Sequence, residues 1–115
     1  MRKSCVKRGD IWMANLLFAG GDVIRGPHPV IVVSSDLTNR NSGVVTVVPL
    51  TSSVKPPMLC HVKVSGFGLK KQSTALVEQL TTIPKYCLRF LVGSLTDSEK
   101  LEELEQAVRK QLEVA

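Results

Sequence analysis

The sequence is poor in several residue types on which common functional sites depend. Aromatic residues make up only 4% of the 115 residues, so the platforms on which bases stack in RNA-recognition sheets are scarce. We therefore expect the aromatic side chains to belong mainly to the core rather than to a base-stacking surface. These residues are Trp12, Phe18, Phe67, Tyr86 and Phe90.

Cysteine and histidine are also few. The three cysteines are an odd number without CxxC spacing, which disfavours a disulfide scaffold and a zinc site. Neither His28 nor His61 has a second ligand at helical or hairpin spacing, so we predict no bound metal and no cofactor. Reduced thiols are typical of a cytosolic protein, and we expect Cys87 to be buried.

Long apolar segments are absent as well. The apolar runs, such as residues 29–33 and 47–50, are far shorter than the ~20 residues that span a bilayer. The stretch after the basic N-terminus is interrupted by Asp10 and Asn15, unlike a secretory signal. No phosphate-binding glycine motif and no GxSxG elbow is present. The sequence therefore predicts a cytoplasmic protein with no membrane partner.

Positive charge is abundant and unevenly distributed. The net charge is +5, yet residues 95–115 contain six acidic and three basic residues. Residues 1–94 contain twelve basic and four acidic residues, a balance of +8. A polyanion is the partner that such a surface favours, because each neutralised phosphate releases condensed counterions. The alternative is that the charge serves solubility alone.

Short apolar segments between turn-forming residues predict a mainly β fold, with a single domain over residues 1–115. Residues 30–33 are all β-branched and do not alternate, which indicates a strand buried on both faces. The sequence TDSE at residues 96–99 matches a capping box and predicts a helix of about fifteen residues. We expect a small, partly closed barrel with a C-terminal helix, with strands at residues 11–16, 30–33, 44–50, 58–64, 73–78 and 87–92, and a turn at 36–43.

Four polar residues lie where predicted strands begin or end. Arg25 and His28 flank a Gly-Pro kink before one strand, Thr51 follows another, and Glu78 ends a third. Each alone is explained by an ordinary surface or strand-end contact. Together they provide a cation, an imidazole, a hydroxyl and a carboxylate, which suffice for metal-free RNA cleavage.

Four segments in the same order resemble the PemK/MazF toxins. They are KRGDIW at residues 7–12, GPHPVIVV at 26–33, VPLTS at 48–52 and VEQLTTI at 77–83. The resemblance implies an SH3-like barrel with a C-terminal helix that forms a homodimer. It also implies a sequence-specific endoribonuclease that cleaves single-stranded RNA without metal, leaves a 2′,3′-cyclic phosphate and a 5′-hydroxyl, and is inhibited by an acidic antitoxin.

The resemblance is incomplete at the site. Thr51 matches the family's catalytic threonine and Glu78 an acidic position, but His28 stands where the family usually has a catalytic arginine. A glutamate often found upstream in this loop is missing. In the interpretation we favour, Arg25 replaces that guanidinium and His28 is a general acid or base, since an imidazole titrates near neutral pH. Otherwise His28 acts alone, or the chain is a weak or inactive nuclease that still binds RNA and antitoxin.

The basic residues also suggest where an RNA backbone would bind. Two functional alternatives remain beside the ribonuclease: a barrel that binds nucleic acid or antitoxin without cutting, and a gyrase-directed toxin similar to CcdB. The candidates for RNA contact are Arg2, Lys7, Arg8, Lys55, Lys70 and Lys71.

Overall fold

Seven antiparallel strands and two helices form the fold in the computed structural model, which describes residues 5–17, 23–53, 56 and 58–114. One-turn 3₁₀ helices span Val77–Gln79 and Lys85–Cys87. The helices are α1 (Asp36–Asn41) and α2 (Glu99–Leu112). The strands are β1 (Asp10–Leu16), β2 (Gly26–Val32), β3 (Val44–Thr51), β4 (His61–Val64), β5 (Ser73–Leu76), β6 (Thr81–Pro84) and β7 (Leu88–Ser94).

Strand β3 organises the sheet, whose order is β4-β5-β3-β2-β1-β7. One edge of β3 pairs with β2, and the other pairs first with β6 and then with β5. The 3₁₀ helix Val77–Gln79 lies in the chain between β5 and β6, so Glu78 is placed where β3 changes partner. This exchange of partners places β5 beside the last two residues of β3, Leu50 and Thr51.

Both faces of the central strands are buried, as the run of β-branched residues predicted. Val30 and Val32 belong to a cluster with Trp12 and Leu88, whereas Ile31 belongs to a second cluster on the other face. Helix α2 contributes its buried Leu104 to that second cluster. Such β-branched side chains are stiff and pack well on a pleated sheet.

The sheet is barrel-like without closing. The outer strands β4 and β7 do not pair, but the turn after β4 lies against β7 at Gly93, where an added Cβ would meet the Phe67 carbonyl. The predicted mainly β architecture with a C-terminal helix is confirmed, and Cys87 is buried as expected. Within the described residues, no helix has the length and apolar character needed to cross a membrane.

The start of the C-terminal helix differs from the prediction. The N-cap is Ser98, whose Oγ accepts a hydrogen bond from the Leu101 amide at 3.3 Å. Thr96 cannot cap the helix because Asp97 adopts a left-handed backbone conformation (φ 62). The Thr96 hydroxyl is instead bonded to Ser94 and to the Arg8 carbonyl.

Four further sequence predictions need correction. Residues 36–41 form the short helix α1, which is capped by Ser35. Strand β6 was not predicted, although the free edge of β3 pairs with it over residues 81–84. Strand β4 begins only at His61, because the His61 amide turns back onto the Met58 carbonyl. Strand β5 ends at Leu76 rather than at Glu78.

The aromatic residues are less buried than the sequence analysis predicted. Trp12 is in the core, where its indole N–H donates to Asp10 at 3.2 Å. Phe67, Tyr86 and Phe90 are exposed by 37%, 71% and 56%, so their assignment to the core was wrong. Phe18 lies outside the described residues.

Candidate active site

A groove of about 680 Å³ opens where β2 begins and where β3 and β5 end. We call it the polar groove because several hydrogen-bonding side chains line it together with a few apolar ones. The polar lining residues are His28, Thr51, Ser53, His61, Glu78 and Gln79. Two imidazoles, two hydroxyls, a carboxylate and an amide therefore line the same space.

His28 and Thr51 are held by the paired ends of their strands. His28 lies opposite Ala14 in the β1–β2 ladder and is half-buried. Thr51 is the last residue of β3, pairs with Thr74, and is only 5% exposed. Its Oγ1 accepts a hydrogen bond from the Ser53 amide at 3.2 Å, which turns the chain away from the strand and fixes the hydroxyl oxygen at the groove.

His61 and Glu78 form a polar pair at the open end of the β4–β5 hairpin, away from its turn. The His61 Nε2 and the Glu78 Oε2 are 2.9 Å apart, with side-chain exposures of 9% and 25%. Because a carboxylate only accepts hydrogen bonds, the imidazole donates from Nε2. The pairing of His61 with Leu76 in the hairpin brings this ring to Glu78, two residues beyond the end of β5.

Cys60 completes a group of three potential ligands. Its Sγ lies 3.7 Å from the Glu78 Oε1, and the donor atoms of Cys60, His61 and Glu78 all lie within 4.8 Å of one another. Burial, followed by the negative charge of Glu78, raises the pKa of the Cys60 thiol. The thiol is therefore protonated and donates to the carboxylate.

A second depression of about 570 Å³ adjoins the polar groove at His28, which lines both. We call it the lysine groove, since the exposed Lys70 and Lys71 lie along it together with Ser52 and Phe90. An extended polyanion that passed from one groove to the other would run directly over His28.

The fold brings together three of the four catalytic candidates, His28, Thr51 and Glu78. Arg25 is exposed, does not line the polar groove, and forms no ion pair with a described residue. His61 was missed because Glu78 is 17 positions away in the sequence. The available signal was the hairpin itself, since antiparallel pairing places the start of one strand beside the end of the next.

The candidate RNA-contacting residues differ in their surroundings. Lys70 and Lys71 line a groove and Lys7 is exposed. The Arg8 guanidinium is already engaged, by Glu105 at 2.8 Å and by the Val33 carbonyl at 3.3 Å, so this arginine fastens α2 to the sheet. Arg2 and Lys55 lie outside the described residues.

Comparison with known proteins identifies the family. The family model described as "PemK-like, MazF-like toxin of type II toxin-antitoxin system" matches residues 7–112. The chain belongs to this toxin family. The toxin is 32% identical to the endoribonuclease EndoA of Bacillus subtilis (strain 168) over 107 residues, which cover 90% of this chain and 91% of that protein.

Solved structures agree with the toxin's fold. MazF from Deinococcus radiodurans superposes with a TM-score of 0.81 at 17% identity, covering 95% of this chain and 97% of that one. An endoribonuclease from a Mycobacterial species, solved in complex with its cognate antitoxin, gives a TM-score of 0.75 at 19% identity and covers 100% and 98%. The predicted family, and with it an endoribonuclease toxin of a type II toxin–antitoxin system, is confirmed.

Proposed function

We propose that the toxin cleaves single-stranded RNA in the polar groove without a metal ion, with His28 and Thr51 in contact with the reacting phosphate. The observation behind this proposal is the convergence of two imidazoles, a hydroxyl and a carboxylate on one groove. The adjoining lysine groove offers cations to the RNA backbone on one side of the scissile linkage.

The chemistry needs two proton transfers and one site of charge stabilisation. The ribose 2′-oxygen loses its proton and attacks phosphorus, the bond from phosphorus to the 5′-oxygen breaks, and that oxygen gains a proton. The products are a 2′,3′-cyclic phosphate and a 5′-hydroxyl. His28 transfers one proton, and His61, oriented by Glu78 at 2.9 Å, transfers the other.

Thr51 and Arg25 stabilise the negative charge that builds up on the phosphorane. The Thr51 hydroxyl, fixed at the end of β3, donates to a non-bridging phosphate oxygen. Arg25 does not itself line the polar groove but follows Ile24, which does, and it has no ion-pair partner among the described residues, so its guanidinium is available to turn toward an incoming phosphate. Glu78 orders His61 through their 2.9 Å contact.

The same surface accounts for the expected partners. Residues 1–94 have a net charge of +8, which suits both an RNA backbone and an acidic antitoxin that competes for the same grooves. Exposed apolar side chains, among them Leu17, Val23, Phe90 and Leu91, provide a surface for a homodimer. A toxin that acts on messenger RNA acts in the cytoplasm, where we place it.

The test is cleavage of a long mixed-sequence RNA by the purified chain in excess EDTA, with the new ends mapped. We expect discrete cuts that leave 5′-hydroxyl termini. His28→Ala should reduce the rate by about 10²-fold or more, as for loss of a general acid or base. Thr51→Val and Arg25→Ala should each cost about 10²-fold, as for loss of a charge-stabilising donor.

Matched controls separate the site from the general surface. Thr82→Val and Arg40→Ala change exposed residues of the same types away from the groove, and we expect both to cleave at the wild-type rate. If His28→Ala and Arg25→Ala each reduce cleavage only a few-fold, the site assignment is wrong. RNA retention without cleavage would indicate a binding barrel, and inhibited DNA supercoiling with intact RNA would indicate a gyrase-directed toxin.

A further inference from the structure

Cys60, His61 and Glu78 offer three different metal-binding groups to one point at the edge of the polar groove. A thiol sulfur, an imidazole nitrogen and a carboxylate oxygen lie within 4.8 Å of one another. Hydrogen-bond spacing alone does not make such a group a metal site. The distances between the donor atoms, the position in the groove and the chemistry of the three donors decide whether an ion fits.

The spacing is close to that of a tetrahedral zinc centre. Typical Zn–N, Zn–O and Zn–S bond lengths of about 2.0–2.3 Å place neighbouring N and O ligands about 3.3 Å apart, and S and O about 3.6 Å apart. The His61 Nε2 lies 2.9 Å from Glu78 Oε2, and the Cys60 Sγ lies 3.7 Å from Glu78 Oε1. These two distances are therefore within a few tenths of an ångström of the tetrahedral values, and the third pair of donor atoms, which lies within 4.8 Å, must close by up to about 1.2 Å to reach the tetrahedral S–N separation.

The backbone already fixes the three side chains in this arrangement. Cys60 and His61 are adjacent at the start of β4, and the His61 amide donates to the Met58 carbonyl at 3.0 Å. Glu78 is held in the 3₁₀ helix that follows β5, the partner of β4. The protein would thus lose little conformational freedom when an ion replaces the two protons that now link the three groups.

The donor set selects the kind of ion. Thiolate and imidazole prefer borderline or soft transition metals, whereas Mg²⁺ and Ca²⁺ require sites made mainly of oxygen. Three protein ligands beside an open groove leave a fourth position for water. The set of one Cys, one His and one Glu is therefore suited to Zn²⁺.

We propose that Cys60, His61 and Glu78 bind one Zn²⁺ ion per chain, and that the bound ion inhibits RNA cleavage. Inhibition rests on the proposed function, because zinc would occupy His61 and Glu78 and place a ligand-bound ion in the groove that the RNA must enter. Zinc binding itself does not depend on that function. Cys60 supplies the third ligand, and without it His61 and Glu78 would offer only two.

The binding test uses the full chain, freed of metal with EDTA, desalted under a reducing agent that does not bind zinc, and titrated with Zn²⁺ in competition with a chromogenic chelator. We expect one ion per chain, no binding of Mg²⁺, and a thiolate-to-cobalt charge-transfer band when Co²⁺ replaces zinc. Cys60→Ser should lower zinc affinity roughly tenfold or more and abolish that band. Cys5→Ser, which changes an exposed cysteine, should do neither.

The activity test keeps the two proposals distinguishable. In EDTA, Cys60→Ser should cleave RNA at the wild-type rate. Without EDTA, this variant should need at least tenfold more Zn²⁺ than wild type for half-inhibition of cleavage. Absence of stoichiometric zinc binding, or equal zinc affinity in Cys60→Ser and wild type, would overturn the metal site. If the wild type does not cleave RNA in EDTA, the proposed function fails, while the titration still decides the metal site.

Discussion

Replacing Gly93 by alanine tests whether the turn after β4 packs against β7 and gives the sheet its barrel-like shape. A Cβ at Gly93 would lie 2.7 Å from the carbonyl carbon of Phe67 and closer still to its oxygen. Real Cβ atoms essentially never approach another atom below 3.0 Å. Both partners are backbone, so no change of rotamer relieves the overlap, and the Phe67 carbonyl must retreat by more than 1 Å before its oxygen reaches ordinary contact at 3.4 Å.

The size of the effect follows from this rigidity. Overpacking of a well-packed interior typically costs about 1–3 kcal/mol. We expect Gly93→Ala to lower the free energy of unfolding by about 3 kcal/mol, because the facing segment also includes Gly68, whose left-handed backbone (φ 89) restricts how the turn can move. With a urea m-value of about 1.5 kcal/mol/M, the unfolding midpoint should fall by about 2 M.

Gly43→Ala is the matched control. A Cβ there would meet nothing within 4 Å, and the backbone of Gly43 is not in the left-handed region. Its unfolding midpoint should stay near wild type or rise slightly, since alanine restricts the unfolded chain. All variants should be compared at one protein concentration, because association would stabilise the native state. Equal midpoints for Gly93→Ala and Gly43→Ala would show that the turn does not pack on β7.

Three further predictions concern the helix and the RNA surface. Leu104→Ala should lower the free energy of unfolding in urea by about 2–5 kcal/mol, because this side chain is fully buried. Its control, Leu112→Ala, changes a residue that is 56% exposed and should change that free energy by no more than ~0.5 kcal/mol. Ser98→Ala should cost about 1 kcal/mol, since its Oγ caps α2; an unchanged midpoint would contradict that cap. Replacing both Lys70 and Lys71 by alanine should lower RNA affinity and reduce the slope of log affinity against log salt concentration by about 0.7 per lysine. An unchanged slope in a filter-binding salt titration would place the RNA elsewhere.

The sequence predicted those parts of the fold that local patterns determine. The β-branched run of β2 indicated burial on both faces, and the capping-box sequence at residues 96–99 indicated a helix close to where α2 begins. Charge, composition and four ordered motifs were sufficient for the family. Such patterns are read from the sequence itself, so they do not depend on how distant segments pack.

The functional site depended on contacts between distant segments. Cys60 and His61 meet Glu78 only because the β4–β5 register places the ends of that hairpin side by side. The role of Arg8 was likewise invisible, since its ion pair with Glu105 spans almost the whole chain. Local propensity contains no information about register or about which helix faces which strand.

The amino-acid sequence by itself determined the secondary-structure class, the cationic character and the family of this toxin, because each arises from residue types and short-range spacing. Only the tertiary structure decided which polar side chains share a groove. Strand β3 exchanges one partner for another along a single edge, which sets Glu78 on the same groove as Thr51, and the β4–β5 register sets Glu78 beside His61.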